Sequence, residues 1–205
     1  MGRQAVVSLR INPDVDAGTH EKITTGRSEN KFGVEWTQAR RLYQRAKTLE
    51  GVRLVGIAVH IGSQILDLAP FRDAFVRTRD LVTGLRADGH TIERLDLGGG
   101  LGIPYDDAAA PPPTPAAYGA LVREIFGDLG CKLIFEPGRL LVGNAGVLVA
   151  RVLYVKEGAT RTFVIVDAAM NDLIRPSLYN AFHAIWPVKA PAALAPLREV
   201  DVVGP

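Results

Sequence analysis

The feature that most constrains this chain is an alternation, over residues 5–140, of short β-branched apolar runs with longer segments of helical period. Residues 5–11 (AVVSLRI) form the first run, closed by the turn signal Asn12-Pro13. Trp36, Ala39, Leu42, Tyr43, Ala46 and Leu49 then recur at intervals of three and four, which predicts an amphipathic helix. Residues 54–60 (LVGIAVH) read as a second, fully buried strand that ends in Gly62-Ser63. Phe71, Ala74, Phe75, Thr78, Val82 and Leu85 give a helix over 71–85, and residues 94–97 a third strand running into Gly98-Gly99-Gly100. Tyr118, Leu121, Val122, Ile125 and Leu129 give a third helix, and residues 132–136 (KLIFE) a fourth strand stopped by Pro137-Gly138. Strands separated by helical crossovers run parallel, so the expectation is an α/β fold.

Past residue 140 the pattern changes. Residues 146–156 and 161–167 are strand-like and flank a glycine-containing turn at 157–160, which predicts an antiparallel hairpin. Residues 171–186 read as a loop and short helix, Pro187, Pro191 and Pro196 discourage regular structure, and 199–203 reads as one more strand. The proline-rich stretch 106–115 is expected to be an irregular loop. The boundary between the two regions falls near residues 141–145.

Charge and composition narrow the partners. Lys and Arg number 24 against 22 Asp and Glu, a net +2, which provides no broad field for nucleic acid or an anionic membrane. No apolar run approaches the ~18 residues of a membrane span. The first ten residues lack the apolar stretch of a signal peptide. A single cysteine, Cys131, cannot form an internal disulfide and fits a reducing, cytoplasmic compartment. No metal site is expected.

The chemistry concentrates at strand ends. Three parallel strands finish in His60-Ile61-Gly62-Ser63, Gly98-Gly99-Gly100-Leu101-Gly102 and Glu136-Pro137-Gly138-Arg139. Parallel strands place their carboxyl ends on one side, where α/β proteins build their sites. The clusters therefore converge on an imidazole, a hydroxyl, accessible backbone N–H groups, a carboxylate and a guanidinium, an inventory suited to a flat phosphorylated heterocycle. Singly, each has an ordinary reading: a packed histidine, a tight turn that needs glycine, a strand end meeting a turn. Gly98, Gly100 and Gly102 approach a dinucleotide fingerprint, but position 103 is Ile. Their conjunction at three converging ends favours function.

These residues carry a resemblance. HIGSQI at 60–65, LDLGGGLGI at 95–103, FEPGR at 135–139, NPDVDAGTHEKITTGRSENKFG at 12–33 and VDAAMNDLIRPSLYNAFH at 166–183 resemble the diaminopimelate decarboxylase family. The glutamine of HIGSQ and the RPSLY segment favour it over the related ornithine and arginine decarboxylases. The resemblance implies the C-terminal half of a pyridoxal-phosphate-binding (β/α)8 barrel over residues 1–142, followed by part of a β-rich C-terminal domain over 143–205. It implies pyridoxal 5'-phosphate as cofactor, with His60 stacked on the ring and Glu136 paired with the pyridine nitrogen. Ser63, Gly98, Gly99 and Gly100, with the backbone around Pro137, Gly138 and Arg139, would hold the phosphate. Arg139, Arg175 and Tyr179 would bind the remote carboxylate and amine of meso-diaminopimelate, Arg175 and Tyr179 sharing one helical face. His60 and Glu136 are the implied catalytic pair. His20 and Arg10 lie in matching segments and receive no role.

A complete barrel has eight strands and roughly 250 residues. The resemblance therefore implies an internal piece of a longer, homodimeric enzyme that makes L-lysine and CO2. None of Lys22, Lys31, Lys47, Lys132, Lys156 and Lys189 matches the family's Schiff-base lysine, and Cys131 is not the cysteine of its Cys-Glu-Ser segment. On this expectation the chain alone is inactive and associates through open sheet edges. The alternatives are a non-catalytic module that keeps the phosphate site, and a decarboxylase of the same fold acting on another basic amino acid.

Overall fold

The computed structural model describes residues 2–16, 32–105, 111–189 and 198–205. His20, Lys22, Lys31 and the first part of the proline-rich loop lie outside the described residues. The chain divides into two compact units, Met1–Pro104 with Ala110–Ala145, and Tyr105–Ala109 with Gly146–Pro205.

In the first unit the alternation becomes β1 (Ala5–Asn12), β2 (Val34–Glu35), α1 (Ala39–Ala46), β3 (Val52–Val59), α2 (Ala69–Ala87), β4 (Arg94–Asp96), α3 (Pro115–Phe126), β5 (Lys132–Ile134) and α4 (Gly138–Val142). The five strands form one parallel sheet in the order β2-β1-β3-β4-β5. The register aligns Ile57 with Leu95 and Leu95 with Leu133, so the chain leaves β3, β4 and β5 from the same edge of the sheet.

Several boundaries differ from the sequence reading, each for a local reason. The helix expected over 36–49 is a 3-10 turn at Trp36–Gln38 followed by α1, which stops at Ala46. Thr48 ends it: its Oγ1 donates to the Arg45 carbonyl at 2.8 Å, and the backbone tightens into i→i−3 bonds that leave Leu49 44% exposed. Leu129 likewise lies beyond α3 in a turn bonded to the Phe126 carbonyl. The fourth strand ends at Ile134 rather than 136. Pro137-Gly138 lie beyond its end as expected, and Pro137 then caps the unexpected α4, where a residue without an N–H sacrifices no internal hydrogen bond. β2 was not expected; two residues give no readable alternation.

The core lies between the sheet and helices α1 to α3. Its aromatic part joins α2 to α3: Phe75 has ring centroids 5.9 Å from Phe71 and Tyr118 and 5.4 Å from Phe126. Tyr43, fully buried on α1, donates its hydroxyl to the Gly56 carbonyl of β3 at 2.8 Å, and burial pushes its acidity well below that of free tyrosine. Outside the core, α2 and α3 are pinned by the two-pronged pairs Arg72–Glu124 and Arg79–Asp128. The Arg79 hydrogen bonds hold the Asp128 carboxyl down at about 2. These pairs are solvent-exposed and fix orientation more than they add stability.

The second unit holds β6 (Val152–Glu157), β7 (Thr162–Val166), α5 (Arg175–Tyr179) and β8 (Asp201–Val203). β6 and β7 form the expected antiparallel hairpin, and β8 adds parallel to β7. The strand expected from residue 146 begins at Val152, because its partner runs out: β7 ends at Val166, and the chain then turns where Asp172 accepts from the Ala169 N–H at 2.8 Å.

Phe75→Ala removes the side chain that joins α2 to α3 and is expected to destabilise the first unit by about 3–5 kcal/mol. Urea unfolding followed by Trp36 fluorescence, in a Trp186→Phe background, reads that unit alone; a change under about 1 kcal/mol would contradict this packing account.

Candidate functional site

The site is built where three loops leave β3, β4 and β5. His60 to Ser63 follow β3, Gly98 to Gly100 follow β4, and Glu136 to Arg139 follow β5 into α4. The glycines sit between the other two loops. A Cβ on Gly98 would collide with the Val59 carbonyl oxygen, one on Gly99 with the Glu136 carbonyl oxygen, and one on Gly100 with the Gly62 carbonyl oxygen. Gly98 and Gly100 also adopt φ of 65° and 99°, a left-handed conformation costly for other residues. The three-glycine run is thus required by close approach of backbones, whatever it binds.

Hydrogen bonds finish the interlock. The Glu136 N–H donates to the Gly98 carbonyl at 2.8 Å, and the Ile65 N–H to the Gly100 carbonyl at 2.9 Å. The Gly98 N–H is taken by Asp96 Oδ1 at 2.9 Å and the Gly99 N–H by His60 Nδ1 at 3.2 Å. Arg139 donates to Ser63 Oγ at 3.1 Å, joining the first loop to α4. His60, Ser63, Gly98, Gly99, Gly100, Glu136 and Arg139 are therefore brought into one connected group. Pro137 and Gly138 lie within it, and Gly138 faces open space at its Cβ position.

The bond from the Gly99 N–H uses the Nδ1 lone pair of His60, which assigns any proton of the neutral ring to Nε2. Burial lowers the His60 pKa, Arg10 lowers it further, and Glu136 and Asp96 oppose with smaller upward pulls. A neutral aromatic ring, a hydroxyl beside a guanidinium, and an exposed carboxylate thus stand at one end of the sheet.

Arg175 and Tyr179 lie in the second unit, one turn apart on α5. The Arg175 guanidinium carbon sits 5.6 Å from the Tyr179 ring centre and 5.8 Å from that of Tyr105. Tyr105 meets His183 edge-on at 5.8 Å. His183 Nε2 is buried with no hydrogen-bond partner among the described residues, and burial and then Arg175 lower its pKa. The sequence reading missed Tyr105 and His183 as neighbours of Arg175, and Arg10 and Asp96 as neighbours of His60. Of these only Asp96 carries a local signal, an acidic residue two before a glycine, the pattern of an Asx turn.

Two outcomes follow from this geometry. Gly99→Ala is expected to destabilise the first unit by about 1–3 kcal/mol through overpacking, whereas Gly119→Ala, in open space within α3, stabilises by about 0.4–1 kcal/mol. Equal effects in denaturant titrations would refute the interlock. His60 is expected to titrate below about 6.5 in NMR of its ring protons, rising in Arg10→Met and falling further in Glu136→Gln. Because the folded value is depressed, its contribution to stability is full above about 6.5 and is lost as pH falls toward the folded value.

A family model for the pyridoxal binding domain of pyridoxal-dependent decarboxylases matches residues 1–143. The diaminopimelate decarboxylase of Zymomonas mobilis subsp. mobilis is 49% identical over 205 residues, all of this chain and 48% of that protein. That of Neisseria meningitidis serogroup A is also 49% identical, over all of this chain and 50% of that protein. The chain thus spans about half the length of the curated relatives it matches. Among solved structures, diaminopimelate decarboxylase from Helicobacter pylori complexed with L-lysine aligns with a TM-score of 0.91 at 40% identity, over all of this chain and 50% of that one. Lysine decarboxylase from Selenomonas ruminantium aligns with a TM-score of 0.76 at 23% identity, a likeness of fold alone. The mixed α/β architecture with a parallel sheet is that of the pyridoxal-phosphate decarboxylases, at about half their extent. With the family model covering residues 1–143 of 205, the chain belongs to the pyridoxal-dependent decarboxylase family.

Proposed function

We propose that this chain forms the phosphate-binding half of a diaminopimelate decarboxylase, which converts meso-2,6-diaminopimelate to L-lysine and CO2 in the cytoplasm. Residues 1–142 serve as the second half of the barrel and 143–205 as the start of the β-domain. The observation that carries this reading is the interlock of the His60, Gly98 and Glu136 loops at one end of the parallel sheet. The residues fit pyridoxal phosphate by their chemistry. Ser63 and Arg139 supply a hydroxyl and a guanidinium for a phosphate, with the backbone of Gly100 and of Arg139 beside them, while the Gly98, Gly99 and Gly138 N–H groups are spent on Asp96, His60 and the Glu136 carbonyl and so hold the loops around it.

His60, held neutral by burial and by Arg10, offers a flat face to the pyridine ring without adding a positive charge beside it. Glu136, as a carboxylate, accepts from the ring N–H and holds the proton at that nitrogen. When bound, the cofactor supplies the sink for the electron pair left as CO2 departs. Arg139, Arg175 and Tyr179 bind the carboxylate and amine remote from the reacting carbon. In this reading the full-length enzyme is a homodimer and the 205-residue chain alone is inactive.

The lysines support a cofactor held without covalent attachment. Lys132 opens β5 and Lys47 follows α1, so within the first unit both described lysines lie at the strand ends opposite the loops. Pyridoxal phosphate is expected to bind the 205-residue chain saturably, and borohydride reduction followed by peptide mass spectrometry to show no single stoichiometric lysine label. One stoichiometric label, blocked by diaminopimelate, would overturn the non-covalent reading. Absence of saturable binding would overturn the cofactor assignment.

A further inference from the structure

We propose that Gln64 is a positioning residue: it locks the His60, Gly98 and Arg139 loops into one frame and so sets the geometry of the cofactor cradle without touching the cofactor. The inference rests on the reading that these loops bind pyridoxal phosphate. Gln64 adopts φ 59°, a left-handed conformation that is costly for a residue with a Cβ. What offsets that cost is a matched pair of bonds. Its Nε2 donates to the Ile103 carbonyl at 2.6 Å, and its Oε1 accepts from the Ile103 N–H at 3.2 Å. The side-chain amide thus pairs with both backbone groups of one residue much as a neighbouring strand would.

The backbone continues the pairing. The Gly102 N–H donates to the Ile65 carbonyl at 3.0 Å, and Ile65 and Leu101 form a parallel bridge. Ile103 is 4% exposed and presses on Gly143, where a Cβ would collide with its Cδ1. The Gly143 N–H donates to the Arg139 carbonyl at 2.8 Å, and the Arg139 side chain reaches Ser63, the residue before Gln64. The contacts close a ring, Gln64 to Ile103 to Gly143 to Arg139 to Ser63, through all three loops. Gln64 is the link in this ring whose side chain spans two loops by both a donor and an acceptor. Glutamate at this position offers two acceptors, and glycine relaxes the backbone but opens the ring.

Glycine therefore separates the two effects. Gln64→Gly in the 205-residue chain is expected to speed amide exchange at Gly102 and Ile103 and to weaken pyridoxal phosphate binding, read by calorimetry, about tenfold, despite its easier backbone. In Gln64→Glu the deficit relative to the unsubstituted chain at the same pH is expected to shrink as pH falls toward about 4.5, where the carboxyl gains a proton to donate. Unchanged exchange, or unchanged affinity in Gln64→Gly, overturns the proposal, as does a Gln64→Glu deficit indifferent to pH. If the unsubstituted chain takes up no pyridoxal phosphate, the cofactor reading fails instead, and the exchange data still decide whether Gln64 locks the loops.

Discussion

The close approach of the Gly99 backbone to the Glu136 carbonyl is the contact on which the rest of the site depends. It exists because β4 and β5 are adjacent and parallel, so their exits lie side by side and no side chain can stand between them. Once that approach is fixed, the Glu136 N–H reaches the Gly98 carbonyl and Glu136 is placed beside the His60 loop. A larger residue in the run would part the loops and separate the carboxylate from the imidazole. Glycine here is a spacing device for the two side chains, Glu136 and His60, that it does not itself carry.

The electrostatics follow from this placement. His60 stands between Arg10, which disfavours its protonation, and Glu136 and Asp96, which favour it; burial decides the balance toward the neutral ring. The same neutrality preserves the bond from the Gly99 N–H, since a protonated Nδ1 could not accept it. Charge state and loop geometry are therefore coupled: the histidine that would face a ring is also a fastener of the glycine loop. Asp96, which fixes the Gly98 N–H, contributes to both effects.

Much of the first unit was legible in the sequence because buried parallel strands and amphipathic helices leave long periodic traces. Phe71, Ala74, Phe75, Thr78, Val82 and Leu85 are all buried on α2, as their spacing demanded. Periodicity failed where a local bond overrode it, as at Thr48 after α1, or where an element was too short to repeat, as in β2 and α4. His60, Ser63, Gly98 to Gly100, Glu136 and Arg139 could be found because they stand at strand ends. Arg10 acts on His60 through charge alone and leaves no spacing, whereas Asp96 leaves only the short trace of an Asx turn to Gly98. Gln64 was readable only as a residue type within a motif; its two bonds to Ile103 depend on a left-handed backbone that sequence does not reveal.

The open edges that the alternation implied are uneven in length. The outer strands β2 and β5 have only two and three residues, but β2 pairs with Ile11 and Asn12 alone, so it does not cover the edge of β1 over residues 5–10. In the second unit β6 is an outer strand of six residues, all exposed, and Val152, Leu153, Tyr154 and Val155 each exceed half exposure. An apolar outer strand of that length has pairing capacity comparable to that of β1 over residues 5–10. Each unit thus keeps one long strand edge through which chains could pair, and in the β-rich part the sequence alone offered a hairpin with no indication of which face it covers.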